Sequence, residues 1–218
     1  MSVATKEKEV NTVASPSEEQ IYVRSNKGYL ICKRILDILF AASFGIVLLI
    51  PMAVIAILVR LDSKGPAIFK QERLGLNGKP FTMYKFRSMV VDAEANGPCW
   101  AEKDDDRCTK IGRILRKTRL DELPQLYNIL VGHMSFVGPR PERECFYEEF
   151  EKFIPNFRKR LLVQPGLTGH AQVNGGYDLG PEEKLVFDLE YMRNRSMKMD
   201  MKCIFKTIAV IISHDGAR

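Results

Sequence analysis

Ile38-Leu39-Phe40-Ala41-Ala42-Ser43-Phe44-Gly45-Ile46-Val47-Leu48-Leu49-Ile50-Pro51-Met52-Ala53-Val54-Ile55-Ala56-Ile57-Leu58-Val59 is a run of 22 residues without a charge. As one straight helix it would be about 33 Å long, enough to cross the hydrocarbon of a bilayer. It lies too far into the chain, and runs too long, for a secretory signal peptide. A buried helix of a soluble core is the other structure that such a run can form. Two features argue against a simple crossing. Pro51, just past the middle, removes a backbone donor and crowds the preceding turn, so the helix must kink or break. Basic residues also flank both ends: Lys27, Lys33 and Arg34 before the run, Arg60 and Lys64 after it. Lys and Arg collect on the cytoplasmic side of membrane segments, so both ends belong on one side. The expectation is a re-entrant helix-break-helix that enters, turns at Pro51 and leaves by the same face. A kinked straight span is the competing geometry.

Outward from this run the chain divides into three. Residues 1–20 are polar, with almost no large apolar groups, and are expected to be a disordered tail. Residues 21–62 form the membrane-anchoring region and residues 63–218 a cytoplasmic domain. The 218 residues are 45% hydrophobic, and the mean hydropathy of −0.15 argues against a polytopic membrane protein. A net charge of +6 implies an anionic partner: nucleic acid, an acidic lipid surface or a phosphate-bearing substrate. Nucleic acid rests on that charge alone, since no recognised binding module accompanies it. The five cysteines are odd in number and none are in C-x-x-C spacing, which argues against a disulfide framework or a zinc site.

After the anchor, Ile68–Arg73 and Phe81–Arg87 read as two strands of a hairpin turned by Gly75-Leu76-Asn77-Gly78. Residues 97–106 form a polar loop containing Asp104, Asp105 and Asp106, a solvated run rather than a metal site. Helices dominate from Lys110. Leu120, Leu123, Tyr127 and Leu130 fall at helical spacing, as do Phe146, Phe150, Phe153 and Phe157. The aromatic stripe is expected in the core, with an interfacial helix as the alternative. The last helix, from about Met199 to Ser213, sets Lys198, Lys202 and Lys206 against Ile204, Ile208, Ile211 and Ile212. That suits an anionic headgroup layer or a solvated face over a core. The fold class is α/β, a helix-rich α+β arrangement with a small sheet and amphipathic interfacial helices.

The densest chemical signal is Thr118-Arg119-Leu120-Asp121-Glu122-Leu123-Pro124-Gln125-Leu126. Proline is tolerated in the first turn of a helix, so Asp121 and Glu122 sit at or near a helix start. Free amides and the helix dipole would keep a carboxylate ionised there, ready to attack an electrophile or bind a metal. A simple capping role is the plainer reading of such a pair. Lys110, Arg113, Arg116, Lys117 and Arg119 lie upstream. Downstream, Ser135-Phe136-Val137-Gly138-Pro139-Arg140-Pro141 displays Arg140 between two stiffening prolines. A guanidinium fork suits phosphate oxygens. Carboxylates for a metal beside arginines for phosphate are the components of phosphoryl transfer. A third cluster, Gln164 to Gly176, offers glycines that admit a close backbone approach to a ligand. It also carries neutral hydrogen-bonding groups on Thr168, Gln172 and Asn174.

These motifs resemble those of the bacterial sugar transferases, the small monotopic phosphoglycosyl transferases. The resemblance runs from about Lys33 to the C-terminus. It is carried by Lys33-Arg34-Ile35-Leu36-Asp37, Tyr84-Lys85-Phe86-Arg87-Ser88-Met89, Leu120 to Gln125, Met134 to Pro141 and Pro165 to Gly175. It implies that Asp121 is a nucleophile toward the β-phosphate of a UDP-sugar, expelling UMP. Polyprenyl (undecaprenyl) phosphate would then take the sugar-1-phosphate from the aspartyl intermediate. It further implies that Glu122, with Asp121, holds Mg²⁺, and that Arg140 binds phosphate. Lys85 and Arg116 are further phosphate candidates, Gln172 and Asn174 nucleotide-site candidates. The expected location is the cytoplasmic face of the inner membrane, among anionic lipid headgroups, with a homo-oligomer left open. The chain departs from the family pattern at Ile50-Pro51, where Ser-Pro is usual, and at His133, Gln164 and Gly176. The rival activities are a metal-dependent lipid-diphosphate phosphohydrolase and a non-catalytic membrane-tethered adaptor.

Overall fold

A computed structural model describes residues 23–24, 26–95, 97 and 105–213. The expected tail, residues 1–20, lies outside them, as do Asp104 and His214. The chain begins with α1 (Lys27–Val47) and α2 (Leu49–Asp62), bent by 63° at Leu48. The bend follows from Pro51. A helical residue donates to the carbonyl four back, so Pro51 leaves Val47 without its bond, and its ring crowds that carbonyl. The interruption falls where the bond is missing, three residues before the proline itself. Among the described residues no single helix is long and apolar enough to cross a membrane. Ile46, Val47, Leu49, Ile50, Ile57 and Leu61 are exposed along the bent pair.

β1 (Ile68–Leu74) and β2 (Pro80–Phe86) pair antiparallel from Ile68 opposite Phe86 to Leu74 opposite Pro80. The hairpin sits within one residue of the expected one. Its connection is a 3₁₀ turn, Leu76–Gly78, with Asn77 left-handed at φ 57°. α3 (Lys110–Lys117), α4 (Gln125–Val131), β3 (Ser135–Val137), α5 (Glu144–Glu151), β4 (Gly166–Thr168), α6 (Pro181–Asn194) and α7 (Met197–Ser213) follow. β3 and β4 form a second, parallel pair. These strands have three residues each and no alternating pattern, so nothing in the sequence announced them. The result is a helix-rich α/β mixture, as expected.

One spacing pattern comes out differently from its sequence reading, and a second gains its orientation only from the structure. α5 stops at Glu151, and Phe157 belongs to a separate 3₁₀ turn, Phe157–Leu162, because Pro155 and left-handed Asn156 (φ 70°) end the helical path. Phe146, Phe150 and Phe157 are core, packed with Leu74, Tyr147, Ile154, Leu161 and Leu185. Phe153 is 62% exposed. The second is the Leu120–Val131 segment, whose helical spacing left its inward side open. Along the Leu120–Val131 segment the buried side is Asp121, Glu122, Gln125, Leu126, Asn128 and Ile129, while Leu120, Tyr127 and Leu130 are exposed. The polar stripe faces inward and most of the apolar one faces out.

The Lys33–Asp37 motif fastens α1 to the rest of the chain. Lys33 pairs with Asp200 at 2.8 Å on α7. Arg34 donates to the carbonyls of Ile129 (2.7 Å) and Leu130 (2.8 Å), closing the C-terminal end of α4. Asp37 accepts from the Phe136 amide of β3 at 3.1 Å. Ala41 then packs with Phe81, Met83, Leu126, Ile129 and Met134. One motif thus joins the apolar helix pair to α4, β3 and α7.

Candidate active site

α3 ends at Lys117 with Thr118 as its cap, and Arg119 takes a left-handed conformation (φ 60°) that redirects the chain. A 3₁₀ turn, Leu120–Glu122, follows, and Pro124 at φ −61° leads into α4. Proline is preset for that entry. Asp121 and Glu122 therefore lie in a tight turn just ahead of the helix.

The two carboxylates are buried side by side but held differently. Glu122 Oε1 accepts from Arg140 Nη2 at 2.6 Å and from Lys85 Nζ at 2.8 Å. Asp121 has Lys85 Nζ at 4.0 Å and accepts no hydrogen bond from any described residue. Burial works to raise the pKa of Glu122, but Arg140 and then Lys85 outweigh it and hold the group well below the usual carboxylate range. For Asp121 burial prevails over Lys85, and its pKa is raised; Glu122 pushes the same way, while Arg116 and Arg140 pull down. The helix start assumed from sequence does not keep this pKa low; Lys85, Arg116 and Arg140 oppose the upward push of burial without overcoming it. Lys85 and Arg140 keep 16% and 22% of their side chains exposed, so both cations remain in part in touch with solvent. The structure brings together Asp121, Glu122, Lys85 and Arg140, with Arg116 acting on Asp121 through its charge.

Three residues that the sequence reading passed over hold this constellation. Asn128 is wholly buried; its Nδ2 donates to the Thr82 carbonyl (2.7 Å) and its Oδ1 accepts from the Tyr84 amide (3.1 Å). One side-chain amide thereby behaves as a strand along the open edge of β2 and fixes Lys85, the next residue, against α4. Its signal was an asparagine inside the apolar run Leu126 to Val131, where only a buried partner justifies an amide. Arg160 and Asp188 form an ion pair at 2.6 Å, with side chains 1% and 2% exposed. Arg160 Nη2 also donates to the carbonyl of Arg140 at 3.1 Å. That pair ties the 3₁₀ turn at Phe157 to α6 and to the loop carrying Arg140. No local pattern marks it.

The glycine cluster has a different task from the expected one. A Cβ on Gly166 would lie 2.1 Å from the Gly138 amide nitrogen, and one on Gly169 would lie 2.1 Å from the Gly138 carbonyl oxygen. A Cβ on Gly138 itself would meet the Gln164 carbonyl at 2.3 Å. The close approach is therefore between β4 and the loop leaving β3, backbone to backbone, and it seats the Arg140 loop. Gln172 donates to the Leu167 carbonyl (2.8 Å); Asn174 donates to the His170 carbonyl (2.7 Å) and accepts from Lys206 Nζ (2.8 Å). Those bonds join the β4 loop to itself and to α7 rather than to the carboxylates. Gln164 donates to the Gly132 carbonyl and His133 packs on Phe81 at 5.6 Å between ring centroids, so these two departures occupy the turn after α4.

Among the described residues no group of three or more His, Cys, Asp or Glu could hold a metal ion. Asp121 and Glu122 supply a pair of hard oxygen donors. Mg²⁺ is commonly held by one or two carboxylates with phosphate oxygens and water completing the octahedron. The donor set fits that ion when a diphosphate is present.

The family profile described as bacterial sugar transferase matches residues 28–214. The UDP-N-acetylgalactosamine-undecaprenyl-phosphate N-acetylgalactosaminephosphotransferase of Aeromonas hydrophila is 42% identical over 194 residues, 87% of this chain and 46% of its own length. The UDP-glucose:undecaprenyl-phosphate glucose-1-phosphate transferase of Klebsiella pneumoniae is 41% identical over 184 residues, 82% of this chain and 40% of its own length. The exopolysaccharide production protein PSS of Rhizobium leguminosarum bv. phaseoli is 42% identical over 190 residues, 82% of this chain and 94% of its own. The chain thus spans about half the length or less of the first two relatives and nearly all of the third.

Proposed function

The chain belongs to the bacterial sugar transferase family, and on that premise we propose that it moves a sugar-1-phosphate from a UDP-sugar to undecaprenyl phosphate. Two of the relatives are named for such transfers and a third for exopolysaccharide production. The product would open the assembly of a surface glycan. The observation that carries the proposal is the unequal pair: Glu122 gripped by Arg140 and Lys85, Asp121 beside it without a hydrogen bond.

Asp121 is the nucleophile. A carboxylate that donors do not hold keeps its lone pairs for attack, and a buried one is poorly solvated and correspondingly reactive. Its Oδ–P bond to the β-phosphorus forms as the bond from that phosphorus to the bridging oxygen breaks, and UMP leaves with the electron pair. An oxygen of undecaprenyl phosphate then bonds to the same phosphorus, and the Asp121–phosphorus bond breaks. The carboxylate is regenerated and the lipid leaves as a diphospho-sugar. Splitting one displacement into two lets UMP depart before the lipid binds. Arg140 and Lys85 neutralise phosphate charge as it develops, and Glu122 fixes both. Mg²⁺, when bound by Asp121, Glu122 and the diphosphate, supplies further charge neutralisation.

The anchor fits the same scheme. The bent α1–α2 pair is read as re-entrant, with the rest of the chain on the cytoplasmic face of the inner membrane. The outward apolar residues Leu120, Tyr127 and Leu130, next to the carboxylates, support a membrane-facing site. So do Met201, Phe205, Ile208 and Ile211, exposed on α7 among lysines.

The test is turnover. Purified protein with UDP-N-acetylgalactosamine or UDP-glucose, Mg²⁺ and undecaprenyl phosphate should release UMP and form lipid-linked sugar phosphate, and Asp121→Asn should abolish both. Hydrolysis with water as the final acceptor, or undiminished turnover in the variant, would overturn the assignment.

A further inference from the structure

Gln125 is 1% exposed, and its Nε2 has no hydrogen-bond partner in the structure. Buried amide donors are nearly always satisfied, and one left open marks a place that something else fills. Gln125 follows Glu122 by three residues and Asp121 by four. Those two spacings bring side chains to one face of a helical turn. Helical side chains also lean toward the N-terminus of their helix, which from Gln125 is the direction of the two carboxylates. The segment's buried face contains all three residues. Its other buried amide, Asn128, is fully engaged with β2. Gln125 is thus the one buried amide of this turn kept in reserve.

We propose that the Gln125 amide is a substrate-binding group that donates a hydrogen bond to a non-bridging oxygen on the β-phosphate of the nucleotide donor. The proposal rests on the transferase reading above and adds a neutral donor to its cationic phosphate site. Lys85 and Arg140 are already drawn toward Glu122. A neutral amide can meet the phosphate without competing for that carboxylate. It would also orient the phosphorus over Asp121, one turn back. The open donor is a cost that the ligand-free protein carries and the complex relieves.

Gln125→Met tests this. Methionine keeps the length of the side chain and suits a buried site, but has no donor. Titrate the full-length protein and the variant, in detergent with Mg²⁺, with UDP and separately with UMP, and record thermal midpoints without nucleotide. The expected result is UDP binding weakened about tenfold, UMP binding unchanged within about twofold, and a midpoint equal to or above the parent's. Equal weakening for both nucleotides would assign Gln125 a structural role, and unchanged UDP binding would remove it from the site; either overturns the proposal. Should Gln125→Met not fold, Gln125→Glu replaces the donor with a carboxylate and must weaken UDP more than UMP, or the proposal is wrong. Wild-type turnover of UDP-sugars, measured alongside, tests the transferase reading by itself.

Discussion

Replacing Asp188 with leucine isolates the support beneath the site. The ion pair it forms with Arg160 is sealed, with side chains 2% and 1% exposed and 2.6 Å apart. Removing the carboxylate strands a buried guanidinium, and such a loss costs about 3–5 kcal/mol. For a chain of 218 residues, each kcal/mol moves the thermal midpoint by about 2–4 °C. Asp188→Leu should therefore lower the midpoint by about 6–20 °C. Adding Arg160→Met removes the stranded charge, and replacing a whole buried pair with apolar groups is often neutral or stabilising. The double variant should return to within about 1 kcal/mol of the parent. It cannot, however, restore the bond from Arg160 to the Arg140 carbonyl at 3.1 Å. Arg140 then loses the contact that seats its loop, and misplacing a phosphate-binding group slows chemistry, so UMP release should stay about tenfold or more below the parent. Scanning fluorimetry in detergent and the UMP-release assay read the two effects separately. A shift under about 2 °C for the single variant, or full activity in a stable double variant, would refute the reasoning.

Other outcomes follow from the same geometry. Burial raises the folded-state pKa of Asp121 above its unfolded value, so this group's contribution to stability is lost as pH climbs from about 4 through the raised folded value. Asp121→Asn lacks that loss, and denaturant titration should show its advantage opening above about pH 4 while its turnover is nil. Gly138→Ala drives a Cβ to 2.3 Å from the Gln164 carbonyl; a stability cost of about 1–3 kcal/mol, with UMP release reduced through the displaced Arg140, is expected. Chelating divalent cations should stop UMP release and restored Mg²⁺ should recover it. Glu122→Gln should raise the Mg²⁺ concentration needed for half-maximal rate in the same assay.

The sequence disclosed the parts of this protein whose signals are local. Pro51 predicted the interruption between α1 and α2, because a missing amide acts on the carbonyl four residues back wherever it occurs. The β1–β2 hairpin followed from strand propensity around Asn77-Gly78. Asp121, Glu122 and Arg140 stood out by chemical type, and the fold sets Arg140 on Glu122 with Asp121 beside it. What the sequence concealed depends on distant partners. The spacing of Leu120, Leu123, Tyr127 and Leu130 announced a helical path but not which side of it faces inward. Here the site required the polar side inside, and the exposed apolar side fits a membrane surface. Asn128 and the Arg160–Asp188 pair act across 44 and 28 residues of chain, beyond any local pattern. The glycines of the Gln164–Gly176 cluster were read as admitting a ligand, whereas the close approach they permit in the fold is to protein backbone. Their partner, the backbone around Gly138, could only be seen once β3 and β4 were paired.

The central claim is that Asp121 carries the sugar phosphate during transfer, and the most direct measurement is its covalent capture. Protein incubated with UDP-N-acetylgalactosamine or UDP-glucose and Mg²⁺, without undecaprenyl phosphate, should gain the mass of one hexosamine or hexose phosphate. Peptide mapping should place that mass on Asp121, and adding undecaprenyl phosphate should discharge it. An unmodified chain under conditions that support full turnover, or a phosphosugar found on another residue, would contradict the account.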